Sequence, residues 1–254
     1  MFKINAVFLS LFFFIAANFS SLEAQSDSVQ LNDNVIPTSV VKKLSYENFR
    51  NIKLLRSAIL NYGGGDAEVQ KLIDQYADAS ALYFQDKIVE SAKKYLENER
   101  EIFRVAKKIA KTYRDDSTGF LRKGIKRNIK ISLEREVSGK HSDAVMAKYL
   151  NNAKFAFKKA NSIYDDFKYV NENKPSPAYK LITSIYYYRL SKKNLFLMYK
   201  AYGLTLNLDK DKKKNDKKVE EKIEQMIKED YKPDYKKDLK DNENKVYTSK
   251  EKTI

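Results

Sequence analysis

Residue types that could move protons or attack a carbonyl are sparse in this chain. Its single histidine, His141, stands in Lys140-His141-Ser142-Asp143 at the start of a helix. Nucleophilic hydrolysis would need the imidazole to face Ser142 or Asp143, yet neighbours one and two positions apart on a helix do not face each other. Ser142 reads instead as an N-cap. Acid/base hydrolysis would need two carboxylates flanking one bond, and Glu97 with Glu101, or Asp115 with Asp116, are the available pairs. The first pair is interleaved with basic residues on a solvent face and the second lies in a turn, so both read as structural. Gly63-Gly64-Gly65 lacks the Lys-Ser/Thr of a nucleotide loop, and no zinc-ligand spacing occurs in a chain without cysteine. The reading is therefore a non-enzymatic protein with no catalytic residue, no cofactor and no metal.

Two other groups of side chains suit recognition. From Arg104 to Ala160, 16 Lys/Arg face five Asp/Glu, and Arg122, Lys123, Lys126, Arg127 and Lys130 flank the apolar stripe of one helix. Such a cluster is an electrostatic docking surface for an acidic protein partner, where single charges act mostly on association rate and salt dependence. The second group is Tyr186-Tyr187-Tyr188. Consecutive helical residues point about 100° apart, so at least one ring must leave the face that its neighbour buries. Tyrosine is common in interfaces because its ring buries area while its hydroxyl tolerates water. These eight residues form the candidate partner-binding set.

The elements that must carry them read as helices throughout. Seven glycines and four prolines disfavour turn-rich β folds. Ser45 caps a first helix with Phe49, Ile52, Leu55, Ile59 and Tyr62 on its inner face, ended by Gly63 to Gly65. The 53 residues between Gly65 and Gly119 contain no glycine or proline. Unbroken, they would form a helix on the order of 70 Å long. Either one turn here lacks both residues or the body is elongated around one very long helix, and the latter is expected. Asp115 to Gly119 reads as the next turn, followed by Leu121, Ile125, Ile129, Leu133 and Val137 as an amphipathic stripe up to Gly139. A helix from about Ser142 to Val170 packs Phe157 and Tyr164 with its alanines, and Lys174-Pro175-Ser176-Pro177 breaks it. The last strong helix runs from about Ala178 to Tyr202, before Gly203. The fold class is thus all-α: an elongated helical bundle or helix-pair array.

Residues 207–254 form a charged, largely disordered tail with 15 Lys against 13 Asp/Glu, in which Val219, Ile223, Met226 and Ile227 allow one short amphipathic helix. At the other end, Lys3 leads into an apolar run of 14 residues, Ile4 to Ala17, and Leu22-Glu23-Ala24 reads as a signal-peptidase site. The run is short of the roughly 20 residues that span a bilayer. The expected organisation is signal peptide 1–24, extended leader 25–41, all-helical domain 42–206 and tail 207–254, with no transmembrane segment in the mature chain. Of the 15 net positive charges, 13 fall between Gln25 and Leu206. Export directs that basic body away from nucleic acid and towards acidic envelope or protein surfaces.

Ala153, Phe157 and Ala160 match the small-aromatic-small spacing of a tetratricopeptide second helix, but no 34-residue period recurs. A soluble periplasmic helical adaptor or envelope-binding protein is accordingly the alternative function. From about Val40 to Tyr202 the chain resembles the flagellar coiling proteins of spirochaetes: it shares the signal peptide, the absence of Cys and Trp, a long Gly/Pro-free stretch and a Lys/Tyr-rich surface. That resemblance implies a periplasmic, flagellum-associated structural protein. Such a protein coats the filament, contacts other sheath or core proteins, and contributes to filament curvature and motility.

Overall fold

Pro37 decides where the first helix begins. Its fixed φ suits the first turn of a helix, where a missing N–H is no loss, and the Val40 amide donates to its carbonyl at 2.9 Å. The computed structural model describes residues 36–62, 64–140, 143–171, 176–208 and 216–231, all within one of two units into which the chain divides, Val35–Ile254. Among the described residues there are six helices and no strand: α1 Thr38–Tyr62, α2 Asp66–Phe84, α3 Ile88–Val137, α4 Ala144–Phe167, α5 Ala178–Leu208 and α6 Asp216–Asp230. None of them is long and apolar enough to cross a membrane. The expected signal peptide, residues 25–35 of the expected leader, Gly63, His141, Ser142 and the tail beyond Tyr231 lie outside the described residues.

Helix α1 starts inside the segment expected to be an extended leader, seven positions before Ser45. Ser45 caps nothing; its hydroxyl shares a 3.0 Å hydrogen bond with that of Tyr76 on α2. The inward stripe is Val41, Asn48, Ile52, Leu55 and Ile59, and Phe49 faces outward.

The very long helix exists but is displaced along the chain. It does not occupy 66–116, because Gln85, Asp86 and Lys87 turn the chain without glycine or proline. Asp86 takes the left-handed conformation at φ 60°. The Lys87 amide reaches back to Leu82 O at 3.0 Å and the Asp86 amide to Tyr83 O at 3.1 Å. The same two bonds close α3, from Lys140 to Arg135 O and from Gly139 to Glu136 O, around Gly139 at φ 69°. Both are Schellman ends; aspartate tolerates the left-handed position better than most side chains, though glycine is usual.

The expected turn at Asp115 to Gly119 is helical instead. Ser117 is buried and donates to Tyr188 O, Thr118 donates to Arg114 O one turn back, and Gly119 is exposed. With these polar groups satisfied in helical geometry, packing of Tyr113, Phe120 and Leu121 carries the helix through. At 1.5 Å per residue the 50-residue α3 is about 75 Å long.

Helices α1 and α2 pack on the first half of α3, while α4 and α5 pack on each other and against α3. One core cluster joins α1, α2, the first half of α3, the end of α4 and the start of α5. A second joins Phe120, Leu121 and Ile131 of α3 to Met146, Leu150 and Ala153 of α4, the later part of α5 and α6; Phe157 touches both. Asp143, not Ser142, caps α4, accepting from the amides of Val145 and Met146.

Helix α5 passes straight through Gly203, which the sequence suggests as its end. A Cβ there would lie 3.0 Å from Ile223 Cγ1, so the glycine lets α6 approach. Gly124 does the same for α3 against Leu195 of α5, where a Cβ would lie 2.8 Å from Cδ2. The tail therefore contributes an ordered helix whose Val219, Ile223, Met226 and Ile227 are buried. Gly203→Leu should push α6 away and lower unfolding stability by about 2 kcal/mol, as overpacking does; a denaturant titration with an unchanged midpoint would refute this close approach.

Candidate interaction surfaces

The apolar stripe of α3 turns from the core to solvent along its own length. Leu121 is buried and Ile125 half-buried, but Ile129, Leu133 and Val137 are 54%, 56% and 89% exposed. Residues spaced by four advance about 400° on a helix of 3.6 residues per turn, a drift of about 40° per step. Over four steps the stripe rotates by about 160°, which carries Val137 to the face opposite Leu121.

The same rotation divides the five basic residues. Arg122, Lys126 and Lys130 are exposed and share the outward phase of Ile129 and Leu133. Lys130 lies 3.8 Å from Glu134 in a pair that is itself exposed, which contributes little.

Lys123 and Arg127 turn aside towards α6. The Lys123 ammonium donates to the Glu229 carbonyl at 3.3 Å. The Arg127 guanidinium donates to Asp230 Oδ2 at 2.8 Å and Glu229 Oε2 at 3.0 Å. Tyr199 on α5 donates its hydroxyl to the same Asp230 oxygen at 2.7 Å. Two carboxylates at a helix C-terminus oppose the helix dipole, and the cations of α3 offset them. The hydrogen bond to Asp230 raises the Arg127 pKa further; burial first, then that carboxylate, raises the pKa of Tyr199. These two basic residues fasten the fold.

Of the three consecutive tyrosines, Tyr188 is fully buried. Its hydroxyl donates to Asn161 Oδ1 at 2.6 Å and its ring meets Phe157 edge-on at 5.9 Å. Tyr186 and Tyr187 are half-buried, with ring centroids 5.1 Å apart and the Lys159 ammonium 4.6 Å from the Tyr187 ring. The geometry thus leaves two of the three rings partly in solvent, Tyr187 among them packed against the core on its other side.

Four positions beyond Tyr188, Lys192 is 2% exposed. Its ammonium donates to the hydroxyls of Tyr62 at 2.8 Å and Tyr231 at 2.9 Å, and lies 4.8 Å from the ring centroids of Tyr62 and Tyr113 and 5.4 Å from that of Tyr231. Those rings come from α1, α3 and the end of α6. No local motif announces this cage, because two of its hydrogen-bond partners stand 130 and 39 residues away. Arg189 adds a 2.8 Å bond to the Tyr113 hydroxyl.

Glu97 and Glu101 sit in separate ion pairs. Glu97 meets Lys94 at 2.7 Å, and Glu101 accepts from Arg104 and Lys71, which hold its carboxyl down to about 2. Asp115 is exposed and Asp116 half-buried. Glu99 was not singled out by the sequence. Burial chiefly, and then the Glu47 carboxylate of α1, push it up to about 7, against the opposing influence of Arg100 and Lys43. Two helices far apart in sequence make this pair, and nothing local marks it. Among the described residues no group of three or more His, Cys, Asp or Glu is placed to hold a metal ion. No family model, characterised protein or solved structure matches the chain.

Arg127→Ala should lower stability by about 2 kcal/mol, because it leaves partly buried Asp230 without its charge-assisted bond. Joint replacement of Arg122, Lys126 and Lys130 by Glu should change it by no more than about 0.5 kcal/mol. Urea titrations of the two variants compare these directly; equal losses would contradict the division of the cluster. For Glu99, the folded pKa lies above the unfolded one, so the fold binds the proton more tightly and its contribution is lost as pH rises from about 4.5 towards about 7. Glu101 works in the opposite sense and a separate window, losing its contribution as pH falls from about 4.5 towards about 2. Glu99→Gln should therefore flatten the pH dependence of the unfolding midpoint between about pH 4.5 and about 7 and stabilise the protein above that window; a variant retaining the wild-type slope would exclude Glu99 as its source.

Proposed function

We propose that this chain is a non-enzymatic periplasmic structural protein, a component of the sheath around a flagellar filament, acting through protein–protein contacts. The observation that carries this reading is the outward face of α3 beyond Leu121. There Arg122, Lys126 and Lys130 lie beside the exposed aliphatic side chains of Ile129, Leu133 and Val137. An apolar strip interleaved with exposed cations, of which Lys130 also pairs with Glu134, combines the apolar area and the polar groups that an interface uses. Burying Ile129 and Leu133 against a partner contributes on the order of 1–2 kcal/mol each, and the three cations steer an acidic surface into register. The helix beneath is held in place by two cores, by Gly124 against α5, and by Arg127 on α6. Its role in the sheath is positional: a stiff element that spaces neighbouring sheath or core subunits and so contributes to filament curvature.

Co-sedimentation with purified periplasmic filaments, together with imaging of a labelled copy in the cell, tests this. The wild-type chain should pellet with filaments and follow them in the cell. The combined Arg122→Glu, Lys126→Glu and Lys130→Glu variant should lose at least about 10-fold in binding while keeping its unfolding midpoint. A label that fills the periplasm evenly, with wild-type protein left in the supernatant, would turn the reading to a soluble helical adaptor.

A further inference from the structure

Near the α2–α3 turn, two helix faces carry exposed aromatic rings. On α1, Lys42, Ser45, Tyr46 and Phe49 recur at spacings of three and four; on α2, Tyr76, Ser80, Tyr83 and Phe84 do the same. With Tyr95 of α3 among their neighbours, these faces border an open trough of about 350 Å³. Tyr46, Phe49 and Phe84 are 53%, 55% and 83% exposed. The rings form a tilted chain, Phe49 to Tyr76 at 5.9 Å and Tyr76 to Tyr95 at 5.6 Å.

Four of the six hydroxyls that line the trough, those of Ser45, Tyr76, Ser80 and Tyr95, are turned on one another or on the backbone. Ser45 and Tyr76 share a 3.0 Å bond, and Ser80 donates to Tyr76 O at 2.9 Å while its oxygen lies 2.8 Å from the Tyr95 hydroxyl. Since Ser80 has one proton, Tyr95 supplies the proton of the last bond. A sugar would need those donors and acceptors for itself. What the trough offers is ring faces and edges, hence recognition of apolar groups. Its open side argues against a small molecule, which pockets bury by 70–90% as a rule, and favours a chain that runs through. Of the residues lining it, one is a cation, Lys42, and none is a carboxylate.

We propose that this trough docks a short segment of a partner protein that presents two or three large apolar side chains beside an acidic residue. Tyr95 and Ile129 are about 50 Å apart along α3 at 1.5 Å per residue, so the site is separate from the distal face of α3 and does not depend on a filament role.

The probe is a phage-displayed library of random dodecapeptides panned against the immobilised full chain, with the best peptides synthesised and titrated by fluorescence anisotropy. Enriched peptides should pair Phe, Tyr, Leu or Pro with Asp or Glu. The double variant Phe49→Ser, Phe84→Ser should weaken them at least about 10-fold, and Lys42→Glu about three- to fivefold, with the weakening by Lys42→Glu disappearing at high salt. Both replace exposed side chains, so thermal unfolding should stay close to wild type; if the double variant melts early, Lys42→Glu decides. The proposal is overturned if no peptide is enriched, if enriched peptides are basic, if they bind both variants as tightly as wild type, or if laurate or a chitin oligosaccharide displaces them and binds more tightly.

Discussion

Lys192 brings an ammonium into the interior of a helical body, and the arrangement around it draws in four of the six described helices. Taking such a group out of water costs several kcal/mol unless it is met by hydrogen bonds and favourable fields. Here Tyr62 closes α1, Tyr113 stands midway along α3, and Tyr231 follows α6, so docking all three surrounds the ammonium on α5 with two hydroxyl acceptors and a third ring face. A desolvated cation over an aromatic face is worth up to about 2 kcal/mol, and two hydroxyls accept its protons as well. Because α5 has buried residues all round its circumference, its other polar groups are bound in the same way: Ser191 to Ala153 O, Arg189 to Tyr113, Ser184 to Leu181 O. A helix that buries polar groups on most of its circumference restricts how its neighbours can pack, because each group must keep its partner.

A second consequence concerns surface. With α5 taking the centre, α3 has only one side to bury, and its period-four stripe rotates off that side after Ile125. The basic cluster that surrounds the stripe is thereby split between two tasks. Lys123 and Arg127 neutralise the carboxylates at the end of α6, while Arg122, Lys126 and Lys130 remain in solvent beside apolar residues. The same local composition thus yields both a structural clamp and a candidate docking face, and phase alone separates them. The trough between α1 and α2 arises differently: Asn48, not Phe49, takes the inward position on α1 and donates to Tyr95 O at 2.7 Å. That exchange turns an aromatic ring outward.

Much of the architecture was legible from residue types. Scarce glycine and proline with recurring apolar residues at three and four implied helices through the body, and Gly139 and Pro177 marked real boundaries, the close of α3 and the start of α5. The misplaced boundaries share one cause. Asp86 carries a left-handed turn usually given to glycine, and Ser117 and Thr118 look like turn formers but bond to carbonyls in helical geometry. Gly203 looks like a stop but is a point of close approach to Ile223. In each case local chemistry was compatible with two conformations and packing chose.

The sequence by itself determined the all-helical class, the basic bias of the body, the candidate charged and tyrosine groups, and the amphipathic pattern of α6. These follow from composition and from periodicities that any helix must obey. Only the tertiary structure decided that Tyr188 is interior, that Arg127 clamps α6, that Lys192 occupies a cage of tyrosines, and that Glu99 and Glu47 oppose each other. The physical reason is that burial and hydrogen-bond partnership are relations between residues tens of positions apart, and a helix's angular phase becomes a buried or exposed face only once its neighbours are in place.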